Sequence, residues 1–183
     1  MMADTGVEIL SLADYPQLPE IAEDGDSFYE NAFRKAKTAA ELTGETALAD
    51  DSGLEVDALG GAPGIYSARY AGADADDARN IAKLLADLRG VPPAERRAAF
   101  STVLVLCRPD GSCESFAGRW TGQIAEEPAG EGGFGYDPVF LLPDRGLTVA
   151  QLPAEEKNRL SHRAQALEKL KRRILHGNSQ DGA

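Results

Sequence analysis

Asp50-Asp51-Ser52-Gly53 is the most unusual local feature of the sequence. A short strand over 46–49 is expected to deliver Asp50 and Asp51 at its end. Two adjacent carboxylates repel, so at least one requires a cation or a protonation partner. Ser52 and Gly53 add a hydroxyl, a backbone donor and a flexible turn. This set suits a metal-assisted site in which a carboxylate holds Mg²⁺ or activates water. The same four residues also compose an ordinary solvated turn, and the tetrapeptide alone leaves both readings open. Upstream, Glu20, Glu23, Asp24, Asp26 and Glu30 supply more acids. They read equally as metal oxygens or as a solvated acidic loop leading into a helix, with Asp26 as its cap.

Two further segments carry chemistry. Residues 130–138 mix glycines with Phe134, Tyr136 and Asp137. Glycines such as Gly135 let backbone approach a flat ligand, and Phe or Tyr can stack on a base. Asp137 could then accept hydrogen bonds from ring N–H groups. The segment matches neither the Walker nor the dinucleotide glycine pattern, and a glycine-rich turn with core aromatics explains it equally well. Lys157, His162 and Arg163 lie just before and at the start of the last helix. Cations there gain nothing from the helix dipole, which favours an anionic partner. A single histidine is more often structural than functional.

The elements that must position these groups follow from periodicity. Ser27 with Glu30 forms a capping-box pattern, and Phe28, Ala32, Ala36, Ala39 and Ala40 recur at helical spacing up to Gly44. A second helix fits 76–89, with Ile81, Leu84, Leu85 and Leu88 on one side. The β-branched run 100–107 pairs with 113–119 across an Asp110-Gly111 turn, and 120–127 extends the sheet. The last helix spans about 161–175, with Ala164, Leu167, Leu170 and Ile174 inward. Strands and helices in this mixture give an α/β fold with a mixed sheet and flanking helices. Residues 1–175 form one domain, and 176–183 a flexible polar tail.

Composition bounds the function. The 183 residues carry a net charge of −11, which argues against broad binding of DNA or RNA. It leaves room for a polyphosphate held through Mg²⁺ and a few placed cations. No apolar run approaches the roughly 20 residues of a membrane helix, and the first ten residues lack a signal peptide's basic start. Cys107 and Cys113 read as two reduced thiols of a cytoplasmic protein.

Taken in order, these segments resemble a known family. The carriers are Glu-Asp-Gly-Asp-Ser-Phe-Tyr-Glu-Asn-Ala (23–32), Ala-Asp-Asp-Ser-Gly-Leu (49–54) and Gly-Gly-Ala-Pro-Gly-Ile-Tyr-Ser-Ala-Arg-Tyr (60–70). Gly-Gly-Phe-Gly-Tyr-Asp-Pro (132–138) and Glu-Lys-Asn-Arg-Leu-Ser-His-Arg (156–163) complete the set. The sequence resembles the inosine/xanthosine triphosphate pyrophosphatase family, also called the Ham1 or RdgB family, from about Val7 to Ile174. The resemblance implies two lobes around a central cleft, a homodimer, and Mg²⁺-dependent hydrolysis of ITP, dITP or XTP to the monophosphate and pyrophosphate. It implies that Asp51 is the general base, that Glu23 and Asp51 bind metal, and that Ser52 contacts substrate. Phe134, Gly135, Tyr136 and Asp137 match the base-binding segment; Lys157, His162 and Arg163 match further nucleotide contacts. A 6-oxo purine presents an acceptor to which His162 or Arg163 could donate, where adenine presents an amino donor.

The resemblance departs at the front. The family opens with a strand, a Thr/Ser-x-Asn-x-x-Lys loop that grips the triphosphate, and a helix. Here a Gly6–Leu10 strand is reached at once, and no Asn-x-x-Lys precedes Glu23. The expectation is an N-terminally truncated member. Its alternative function is that of a catalytically impaired purine-nucleotide-binding or dimerisation module.

Overall fold

The computed structural model describes residues 5–177. Four principal helices and five strands carry the architecture among them. These are α1 (Phe28–Thr43), β1 (Ala47–Val56), α2 (Asp77–Asp87), β2 (Arg97–Cys107), β3 (Cys113–Ile124), β4 (Phe140–Leu142), β5 (Leu147–Thr148), α3 (Ala154–Leu160) and α4 (His162–Gly177). The strands form one sheet in the order β1-β2-β3-β4-β5.

The α/β architecture with flanking helices is the expected one, but the sheet is antiparallel rather than mixed. β3 pairs antiparallel with β4, and β4 with β5. Five residues join β2 to β3, far fewer than a parallel crossover needs. For β1 and β2, Glu55 meets Ser101 while Ala47 and Ala49 share a cluster with Val105 and Cys107, so the strands run in opposite senses. The long β1–β2 connection contains α2, yet it returns the chain antiparallel and not as a parallel crossover.

Contacts divide the chain into two compact units. One comprises the described residues up to Asp51, Val103–Ala117 and those from Ala164 onward; the other comprises Ser52–Thr102 and Gly118–Arg163. In the first unit, strand alternation sends Val105 and Cys107 to one face of β2 and Leu104 and Leu106 to the other. The alanine stripe of α1 (Ala32, Ala36, Ala40) packs on the former. Ala166 and Leu170 of α4 pack on the latter, with Leu167 and Ile174 beside them. In the second unit, Ile81, Leu84 and Leu88, on and just after α2, join Leu54, Val56, Phe100, Ile124, Val139 and Phe140 in the main core.

Several expectations change. β1 is ten residues long, so Asp50 and Asp51 lie within a strand and not at its end. Successive strand residues face opposite sides, so the two carboxylates are aimed apart and Ser52-Gly53 is no flexible turn. Ser27, not Asp26, caps α1: its side chain accepts the Glu30 N–H at 3.1 Å. Glu30 reaches back one residue further than a capping box, accepting the Asp26 N–H at 2.8 Å. Gly6–Leu10 forms no strand; Val7, Ile9 and Leu10 are exposed, and the sheet order gives the segment no partner. The 120–127 extension is the continuation of β3 to Ile124. α4 runs to Gly177, two residues into the expected tail; 178–183 lie outside the described residues.

Cys107 and Cys113 are joined in a disulfide (S–S 2.08 Å, Cα–Cα 4.2 Å) rather than held as two thiols. The turn closed by Arg108 and Ser112 sets the two residues face to face across the β2–β3 ladder. The expectation of thiols followed from compartment chemistry and took no account of this register.

The Ser27 cap yields a stability test. Ser27→Ala should lower unfolding free energy by about 1 kcal/mol in urea titration, with an unchanged slope.

Candidate functional site

The acidic residues of the first unit are organised by one buried amide. Asp51 shares its face of β1 with Ala47 and Ala49, the face packed against α1. Asn31, 1% exposed in the first turn of α1, donates from Nδ2 to Asp51 Oδ2 at 2.9 Å. Its Oδ1 accepts the Gly25 N–H at 2.8 Å. A Cβ at Gly25 would lie 2.8 Å from that Oδ1 and 2.9 Å from Glu30 Cβ, so the loop's approach requires glycine. Glu23, two residues earlier, pairs with Lys35 Nζ at 2.9 Å, one helical turn beyond Asn31. Asn31 and Lys35 were not among the expected site residues. Asn31 lay within a motif that was visible, but its helix period had to be combined with the parity of β1 to show what it touches.

In the second unit the 130–138 segment is held by its own chain. The Gly132 N–H donates to Ala150 O at 3.1 Å, and a Cβ at Gly130 would strike the Ala150 backbone. Gly133 has a φ of 77°, and a Cβ there would collide with the Asp137 carboxylate. These glycines admit the protein's own backbone and the Asp137 carboxylate. Asp137, its side chain 4% exposed, forms an ion pair with Lys157 and accepts the Phe134 N–H at 2.9 Å. A carboxylate so buried needs such partners. These partners make Asp137 an anchor of the loop.

Phe134 is the exposed member, at 63%. Lys157 Nζ lies 4.1 Å and Arg163 Cζ 5.9 Å from its ring centroid, within cation–π range. Arg163 also donates from Nη2 to Ser52 Oγ at 2.7 Å. The Gly135 N–H donates to Asp77 Oδ2 at 2.6 Å. Tyr136 belongs to the scaffold and not to a stacking surface: it is 5% exposed and donates its hydroxyl to Ser67 O at 2.8 Å. Burial, with smaller contributions from Tyr70 and Asp77, pushes its pKa well above the ordinary phenol value. Ser67 in turn accepts the Leu54 N–H at 2.8 Å, tying the 60–70 motif to β1. Asn80 of α2 bonds Ala71 N and Ala68 O, fixing the same motif from the other side.

Lys157 lies on α3, a short helix just ahead of the last one, and His162 opens α4. His162 is buried, its ring 5.2 Å from that of Phe100 and nearly parallel to it. Among the described residues, no three or more His, Cys, Asp or Glu side chains converge to hold a metal. Glu23 and Asp51 remain the hard oxygen donors offered by the acidic motifs. Two carboxylates fit a cation that also needs substrate phosphates and water, as Mg²⁺ does, better than a cation in a prebuilt protein cage.

An antiparallel sheet with flanking helices carries the Asn31–Asp51 contact in the first unit and the Phe134 ring with its two neighbouring cations in the second. The chain belongs to the Ham1 family, which it matches over residues 1–173. It is 55% identical over 170 residues to a dITP/XTP pyrophosphatase of Geobacillus kaustophilus, covering 93% of this chain and 83% of that protein. A dITP/XTP pyrophosphatase of Geobacter sulfurreducens is 55% identical over 163 residues, covering 89% and 82%. Among solved structures, a HAM1 protein from Coxiella burnetii has a TM-score of 0.91 at 42% identity, covering 96% and 89% of the two chains.

The buried hydroxyl gives a discriminating variant. Tyr136→Phe should cost about 1–3 kcal/mol of stability by orphaning the Ser67 carbonyl, while leaving substrate KM unchanged. A raised KM with unchanged stability would return Tyr136 to the ligand surface.

Proposed function

We propose that this protein hydrolyses dITP, XTP and ITP to the monophosphate and pyrophosphate, removing non-standard purine nucleotides from the pool. The observation that carries the reading is the close likeness, over most of its length, to proteins named dITP/XTP pyrophosphatase. These names favour hydrolysis over a binding-only module.

Each residue takes a role its setting supports. The exposed Phe134 ring offers a stacking face for the purine, and Lys157 beside it faces the nucleotide's negative charge. Arg163 supplies N–H donors to the 6-oxo group, since its guanidinium already lies beside that ring. His162, buried against Phe100, supports the start of α4. Ser52 receives Arg163 and orients it. Asp51 accepts a proton from the attacking water, and Glu23 and Asp51 supply the protein oxygens for Mg²⁺. When bound, that ion offsets charge on the phosphate oxygens. Glu23 must then exchange Lys35 for the metal, or share with it. In this reading the protein works as a cytoplasmic homodimer on a small-molecule substrate and engages neither nucleic acid nor membrane. No helix among the described residues is long and apolar enough to cross a membrane.

A pyrophosphate-release assay tests the reading. Turnover of dITP and XTP should exceed that of ATP, and chelation of divalent cations should stop it. Asp51→Asn should lower kcat by at least about 100-fold with the fold retained by circular dichroism. Normal turnover by this variant would overturn the assignment of the base; orthophosphate as first product would overturn the reaction class.

A further inference from the structure

We propose that Asn31 is the positioning residue of the reaction, a buried amide that sets the carboxylate of Asp51 and the Glu23 loop against one another. The inference rests on the reading of Asp51 as the base. Asn31 is bonded to both elements: Nδ2 to Asp51 Oδ2 at 2.9 Å, and Oδ1 to the Gly25 N–H at 2.8 Å. An amide suits this place because it carries a donor and an acceptor on one rigid plane. A carboxylate could keep only the Gly25 bond, and an aliphatic side chain neither. Burial of the amide makes both bonds costly to leave unmade, so its orientation is fixed by the pair. The absence of space for a Cβ at Gly25 holds the loop at the distance the amide can span.

A freely rotating aspartate would spend part of its time with the wrong lone pair toward water. The bond from Asn31 restricts that rotation and fixes which oxygen is occupied. The second bond transmits the same reference to the loop that carries Glu23, two residues before Gly25. Asn31 is thus expected to act on turnover through Asp51 and not by touching the nucleotide.

Asn31→Asp is the informative variant, because it retains shape and the Gly25 acceptor while losing the donor to Asp51. Expected is a roughly 10- to 100-fold loss of kcat for dITP with little change in KM. Asn31→Leu, which loses both bonds, should be worse and should also weaken the dependence of rate on Mg²⁺. Asp51→Asn is measured alongside. If that variant is inactive and Asn31→Asp turns over normally, the positioning role is overturned while the base assignment stands. If Asp51→Asn is active, both fall. Should the Asn31 variants fail to fold, the wild-type chain provides the readout. The Asn31 side-chain amide protons should exchange slowly, and at least 10-fold faster in Asp51→Ala, which has no acceptor at that place; equal exchange in the two would overturn the bond on which the role depends.

Discussion

The buried Asp137 carboxylate is the constraint on which the 130–138 segment and its neighbours depend. A charge at that depth is tolerable only when paired and hydrogen-bonded. Lys157 and the Phe134 N–H meet that demand, and each brings something with it. Lys157 fixes α3 against the 132–138 segment. The Phe134 amide holds the backbone so that its ring stands outward. Gly133 follows from the same requirement, because the carboxylate occupies the space where a Cβ would be. One ion pair therefore accounts for a glycine, a helix position and an exposed aromatic. Replacing it by apolar side chains could preserve packing, but it would remove the cation from the ring.

A polar framework ties that segment to its neighbours. Tyr136 bonds the Ser67 carbonyl, Ser67 bonds Leu54 of β1, and Asn80 bonds the backbone on either side of Tyr70. Tyr70 itself donates to Asp87 at 2.6 Å, and its pKa is pushed up to about 12 by burial first and then by that carboxylate. Asp87, held by Lys83 as well as Tyr70, sits below the ordinary aspartate value. The 60–70 motif therefore matters as scaffold. Its residues tie β1 to the glycine segment through Ser67.

Local periodicity carried much of this fold. The Ser27 cap, the alanine stripe of α1, the apolar side of α2 and the β2–β3 hairpin all follow from neighbours three, four or two residues away. The misses have a common physical origin. β1 reads as a four-residue strand because Asp50, Asp51 and Gly53 have low strand propensity; pairing with β2 overrides that preference. α3 is seven residues long, too short for a helical period to stand out beside its many charges. Tyr136 and Phe134 are equivalent as sequence, two aromatics among glycines. Only tertiary contacts sort one inward, to a carbonyl, and the other outward. The disulfide depended likewise on register across a turn, and the role of Asn31 on combining a helix phase with a strand parity.

The charge of the chain sharpens the same reasoning. A protein of net charge −11 repels a triphosphate at long range, so its affinity must be made locally. The cations described here are already engaged: Lys157 by Asp137, Lys35 by Glu23, Arg163 by Ser52. Engaged cations keep their geometry without a ligand, which lowers the ordering cost of binding. They also differ in what a nucleotide must displace. Lys157 and Arg163 can face a ligand while retaining their protein partners, because their anchors lie behind them. Lys35 holds the carboxylate that the metal would take. In the proposed mechanism the groups beside the Phe134 ring are held before a ligand arrives, whereas a cation at Glu23 would compete with an ion pair already formed.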